Sequence, residues 1–124
     1  TYSYNDEGLT FIEEQHPVRD ETKKISGAAV KLHPNGRYLY ATQRGENILN
    51  CFKIVENGQL EWFANIPVEG EHPRDFGISK DGTQLWVANY DTNDISQFTI
   101  DSEGQVTYTG EKIDVPSPVC VAFL

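Results

Sequence analysis

The chain has 124 residues, 38% of them hydrophobic and 23% charged, and a formal net charge of −9; this is the size and balance of one globular domain rather than of a disordered segment. It contains no apolar run approaching the ~18 residues that a membrane-spanning helix requires. The acidic balance argues against nucleic acid or an anionic membrane as partner, since both need a basic footprint. A small anionic ligand stays open, provided arginines are placed locally.

Taken in order, residues 1–13 read as two short strands and residues 13–27 as a long polar connection. Strands follow at about 28–33, 37–43, 48–55 and 59–64, with turns at Asn35-Gly36 and Glu56-Asn57-Gly58. A second set lies at about 74–79, 84–89, 94–100 and 105–110, with turns at Lys80-Asp81-Gly82 and Ser102-Glu103-Gly104. Leu85-Trp86-Val87-Ala88 is a nearly continuous apolar run, as expected of a strand buried on both faces. The last apolar segment, 119–124, reads as a single strand. Cys51 and Cys120 lie in apolar runs and read as two buried, reduced thiols, which fits a cytoplasmic protein.

The two sets are copies. A shift of 46 residues superposes Gly36 on Gly82, Leu39 on Leu85, Asn47 on Asn93, Phe52 on Phe98, Ile54 on Ile100, Gly58 on Gly104 and Gln59 on Gln105, without a gap. These identities fall at turns and apolar strand positions, so the repeat preserves a backbone rather than a chemistry. Four antiparallel strands recurring at 40–50 residues are the signature of a β-propeller blade. The fold class is therefore all-β: a partial propeller with full blades at 28–64 and 74–110. Residues 1–13 match the last two strands of a preceding blade, and 119–124 match the inner strand of a closing one. Seven such blades would take about 320 residues, so the chain reads as the C-terminal part of a larger ring. With two blade faces bare, it is expected to self-associate or to require the missing N-terminal blades.

His72-Pro73-Arg74-Asp75-Phe76, Leu85 to Asn89, Asp91 to Phe98 and the ending Val115 to Leu124 resemble the lactonase family of seven-bladed propellers. This is the bacterial 6-phosphogluconolactonase type, related to the fungal carboxy-muconate lactonizing enzyme. Gly27 to Tyr40 resembles the preceding blade of the same family. The resemblance implies an active site in the central channel, at the mouths of the innermost strands, where the family uses arginines, a histidine and a glutamate. Only Arg74 maps onto that set. The family's histidine, its first Pro-Arg motif and the glutamate sixteen residues beyond it belong to earlier blades and would precede Thr1. Positions equivalent to the glutamate are Arg44, counted from Ala28, and Tyr90, counted from Arg74.

Arg74 is the catalytic and substrate-binding candidate. A guanidinium offers a planar fork for carboxylate or phosphate, and it can stabilise the oxyanion formed when water attacks a lactone carbonyl. The competing role is an ion pair with Asp75 or a glutamate at the blade rim. Arg44, in Gln43-Arg44-Gly45-Glu46, and His72 are further substrate-binding candidates, each with a turn or structural role as the alternative. His33 reads as a turn residue and His16 as part of the polar connection. Asp91-Thr92-Asn93-Asp94 lacks the spacing of a calcium loop and reads as a turn. No metal and no cofactor are expected: there is no Cys/His cluster, no phosphate-cradling glycine loop and no G-x-S-x-G elbow.

Two functional classes follow. The first is a cytoplasmic lactonase acting on a small anionic sugar lactone such as 6-phosphogluconolactone, in the pentose phosphate pathway, with this piece inactive by itself. The second is a non-catalytic propeller for binding or surface-layer structure, because Leu85 to Phe98 also resembles the uniform repeats of such proteins. The contrast between Ala28 and Arg74, and the Pro-Val-Cys-Val ending, favour the lactonase.

Overall fold

A computed structural model describes residues 1–15 and 22–124. Among them are three antiparallel sheets. The first pairs β1 (Tyr2–Asn5) with β2 (Gly8–Phe11). The second is a meander of β3 (Ser26–Leu32), β4 (Tyr38–Arg44), β5 (Ile48–Ile54) and β6 (Leu60–Pro67). The third is a meander of β7 (Pro73–Ile78), β8 (Gln84–Asn89), β9 (Asp94–Ile100) and β10 (Val106–Asp114). The two four-stranded sheets are the two blades expected from the repeat, and β1–β2 is half of another.

The repeat acts through backbone conformation. Gly36 and Gly82 both adopt a left-handed φ, 72° and 75°, and each donates its N–H to the carbonyl three residues back at 2.9 Å. A side chain with Cβ would strain there. Asn47 and Asn93 share the same unusual φ, 55° and 57°. Each is a clamp. The Asn47 carbonyl accepts from Val68 N and its Oδ1 from His72 N, at 3.0 and 3.1 Å; Asn93 does the same for Val115 N and Ser117 N, at 3.0 and 2.9 Å. The connection leaving each blade is thus pinned just before the proline that opens the next inner segment.

The core lies between the two blades. Tyr38, Tyr40, Leu49 and Cys51 of the first blade, with Val68, meet Phe76, Leu85, Val87, Phe98 and Ile100 of the second. The hydroxyl of Tyr40 donates to the Gly104 carbonyl at 2.9 Å, and burial pushes that phenol well above its usual pKa. Cys51 is fully buried, which pushes its thiol up to about 12. His33 does more than close a turn. Its Nδ1 accepts from Asn35 N at 3.2 Å, which leaves Nε2 to donate to the Gly82 carbonyl across the interface at 2.9 Å.

Differences from the expected strands are local. β6 and β10 run to Pro67 and Asp114, beyond the expected ends at 64 and 110, because both ladders continue past a bulge, at Cys51/Phe52 and Tyr108/Lys112. β3 begins at Ser26, which pairs with Arg44. Residues 119–124 form no strand. They lie instead as an unladdered segment on β7 and β8: Val121 and Phe123 cover Gly77, and the Phe123 ring meets Trp86 at 5.3 Å. With only one side covered, Cys120 is exposed, which corrects the expectation of two buried thiols; both cysteines are free. His16 lies outside the described residues.

The outer faces are bare. Val30 and Leu32 on β3 are 63% and 60% exposed, and Tyr4 and Leu9 on the β1–β2 pair are 80% and 72% exposed.

Candidate active site

Arg74 owes its position to a bulge. In the β7–β8 ladder Pro73 faces Asn89 and Asp75 faces Ala88, which leaves Arg74 as the extra residue between them. Pro73 supplies no N–H to the ladder, and His72 before it has φ 58°, so the chain turns sharply into the strand. A bulge at such a point re-aims its side chain, and Arg74 is exposed.

Its surroundings come from one end of the β7–β8 pair, where β7 begins and β8 finishes. The guanidinium carbon lies 5.7 Å from the centre of the Tyr90 ring, in cation–π range. The other neighbour of that ring is His72, with centroids 5.6 Å apart. His72 Nδ1 is 3.3 Å from Asp91 Oδ2. Two backbone bonds fasten the cluster, Tyr90 N to the His72 carbonyl at 3.0 Å and Asp91 N to the Glu71 carbonyl at 3.2 Å.

The Arg74–Asp75 ion pair does not form. Asp75 Oδ1 takes Lys31 Nζ of the first blade at 3.0 Å, and its Oδ2 accepts from Val121 N at 2.9 Å. Asp75 therefore ties three parts of the propeller together. Burial pushes its carboxyl up, but the amides of Val121 and Phe76 and the Lys31 ammonium outweigh that and hold it below the usual carboxylate range. Among the described residues no carboxylate stands within ion-pair distance of Arg74.

The first blade has the same device without the chemistry. The β3–β4 ladder slips between Gly27 and Val30, so Ala28 and Ala29 form its bulge. Arg44 ends β4, rather than lying past it, and its Nη2 donates to the Gly27 carbonyl at 3.0 Å while its Nε is buried without a partner. Arg44 thus braces its own inner strand. The structure gathers Arg74 and His72 into one cluster and leaves Arg44 at the mouth of the neighbouring blade. The side chains of Thr92, Asn93 and Asp94 are engaged in the turn and its surroundings: Thr92 Oγ1 accepts from Glu71 N at 3.2 Å, and Asp94 binds Asn89 Nδ2 at 2.8 Å and Lys112 Nζ at 3.2 Å.

Three features carry little or no signal in the sequence. Tyr90 was noted only as a positional equivalent, and a lone tyrosine after a strand carries no signal of stacking. Lys31 and Asp75 are 44 residues apart, and no local spacing links them. The Asn47/Asn93 clamp was visible as an identity within the repeat; that Asn tolerates left-handed backbone was the signal available.

The model of the family described as "Lactonase, 7-bladed beta-propeller" matches residues 1–123. The 6-phosphogluconolactonase of Bacillus subtilis is 32% identical over 107 residues, covering 85% of this chain and 31% of that protein. The 6-phosphogluconolactonase of Formosa agariphila is 32% identical over 123 residues, 97% of this chain and 33% of that protein. Among solved structures, the periplasmic gluconolactonase of Pseudomonas aeruginosa superposes with TM-score 0.85 at 29% identity, over 96% of this chain and 34% of its own. A protein from Lactobacillus plantarum superposes with TM-score 0.88 at 29% identity, over 99% and 37%. The chain thus spans about a third of the length of these relatives. On the blades, the bulged Pro-Arg-Asp-Phe strand and these matches together, the chain belongs to the lactonase family of seven-bladed β-propellers.

Proposed function

We propose that this chain supplies the C-terminal third of a closed seven-bladed ring, and that the ring hydrolyses an anionic sugar lactone such as 6-phosphogluconolactone, a step of the pentose phosphate pathway. The observation that carries this reading is the guanidinium of Arg74, lifted onto a bulge at an inner-strand mouth and uncommitted to any carboxylate among the described residues. In a chain of net charge −9, a cation kept free of acids is a place for a ligand's anion.

In the reaction a water oxygen bonds to the lactone carbonyl carbon, and the carbonyl electron pair moves onto its oxygen. Collapse of that oxyanion breaks the bond to the ring oxygen. The proton taken from water by a general base passes to the departing ring oxygen, giving a hydroxy acid. Arg74 binds anionic oxygen in this sequence. His72 flanks it, Arg44 helps from the next mouth, and the base comes from a blade outside this chain. The chain alone is inactive for want of that base, and its bare faces at Val30, Leu32 and the β1–β2 pair take either the N-terminal blades or other copies of itself. The free thiols of Cys51 and Cys120 suit a reducing compartment, the cytoplasm.

The test is lactone hydrolysis by the full-length protein, wild type against Arg74→Ala. The expected loss is about 100-fold or more in kcat/KM, the scale of removing one oxyanion or anion donor. Unchanged turnover would end the role of Arg74, and a wild-type ring that hydrolyses no sugar lactone would favour the non-catalytic binding reading.

A further inference from the structure

Resting on the reading of Arg74 as an anion anchor, we infer that Tyr90 is a positioning residue that fixes which anion is gripped. The Tyr90 ring, beside His72, orients the Arg74 guanidinium toward the substrate's phosphate.

Four observations carry this. Tyr90 follows β8 directly, and its N–H bonds the His72 carbonyl at 3.0 Å, so the ring stands on fixed backbone beside the bulge. One neighbour of the ring is His72, 5.6 Å away, itself paired with Asp91 at 3.3 Å. The other is Arg74, with its guanidinium carbon 5.7 Å from the ring centre. Finally, two acids beside Arg74 are engaged elsewhere: Asp75 by Lys31 and the Val121 amide, Asp91 by His72.

A guanidinium drawn toward an aromatic ring, here with 5.7 Å between its carbon and the ring centre, keeps its N–H edge available to a ligand. That edge makes two parallel hydrogen bonds to a tetrahedral phosphate, the geometry for which arginine is suited and lysine is not. The ring adds attraction to the cation without competing for its donors. The equivalent position in the first blade is Arg44, which bonds a backbone carbonyl, and the bulge there carries alanines; among the described residues that mouth holds no comparable anion grip. Tyr90 is therefore a specificity determinant for a phosphorylated over an unphosphorylated lactone.

The readout is the ratio of kcat/KM for 6-phosphogluconolactone to that for δ-gluconolactone, measured in the full-length protein for wild type, Tyr90→Leu and Tyr90→Phe. Leucine fills the space without a π face; phenylalanine keeps the face and loses only the hydroxyl. Tyr90→Leu is expected to lower the ratio about two- to fivefold, the size of an exposed cation–π contact, through KM rather than kcat. Tyr90→Phe is expected to restore it. An equal loss on both lactones would make Tyr90 a purely structural residue and overturn the inference, as would an unchanged ratio in Tyr90→Leu. Calorimetric binding of 6-phosphogluconate separates this inference from the reading beneath it. If the wild type binds that ligand but hydrolyses nothing, and Tyr90→Leu weakens binding about two- to fivefold while Tyr90→Phe does not, the lactonase reading fails and the positioning role stands. If Arg74→Ala abolishes hydrolysis while Tyr90→Leu binds and discriminates like wild type, the positioning role fails and the lactonase reading stands.

Discussion

The mouths of the two blades share a backbone and differ in purpose. Both inner strands, β3 and β7, enter through a bulge, and both blades are left through an asparagine clamp. In the second blade the bulge lifts an arginine against a tyrosine, while in the first it carries two alanines and the nearby arginine braces a carbonyl. Asp75, which joins Lys31 to the final segment, has Ala29 as its counterpart. Where a repeated unit keeps its turns and strand faces, its chemistry sits at the few positions that have diverged.

Matched substitutions break or sharpen this comparison. The largest difference is expected between Gly82→Ala and Gly36→Ala. Both sites have left-handed φ, so each substitution pays about 1–2 kcal/mol in backbone strain. At Gly36 the new Cβ enters open space, but at Gly82 it would lie 2.4 Å from His33 Cε1 at the blade interface. Gly82→Ala should therefore lower unfolding stability by a further ~1–3 kcal/mol, the usual cost of overpacking. Equal denaturation midpoints for the two variants would show that the blades are not packed through His33.

Asp75→Asn comes next. The folded-state pKa of Asp75 is depressed, so its stabilising contribution is present above the unfolded carboxylate value and lost as pH falls from about 4 through the folded pKa. The variant should be less stable near neutrality by about 1 kcal/mol, a figure discounted for the partly exposed Lys31, and its stability should fall less steeply on the acid side. Parallel acid limbs for the two proteins would contradict the assignment.

The smallest effect is expected at Arg44. Removing the exposed bond from its Nη2 to the Gly27 carbonyl should cost about 0.5 kcal/mol of stability. Arg44→Ala should also weaken substrate binding far less than Arg74→Ala. Comparable losses of kcat/KM would place the two arginines in one anion site.

How much of this was legible follows from what each feature depends on. Turn glycines, strand alternation and the repeat are local properties of the chain, so the blades could be read from Gly36/Gly82 and Phe52/Phe98. Arg74 could be singled out because a motif surrounds it and its counterpart is alanine. The bulge that aims it, the Lys31–Asp75 pair and the Tyr90 platform arise from register and from packing between distant segments, and no spacing encodes them. Cys120 misled because an apolar run implies burial only when both of its sides are covered, and here one side is open. His33 was read as a turn residue because its turn is local, whereas its partner carbonyl lies in the other blade, at Gly82.

The central claim is that Arg74, uncommitted to any carboxylate among the described residues, grips a ligand's anion. The most direct measurement is a crystal structure of the full-length protein with 6-phosphogluconate bound. The account predicts phosphate oxygens within hydrogen-bonding distance of the Arg74 guanidinium, which stays in cation–π range of Tyr90. A ligand bound with its phosphate elsewhere, and Arg74 turned to a carboxylate, would contradict it.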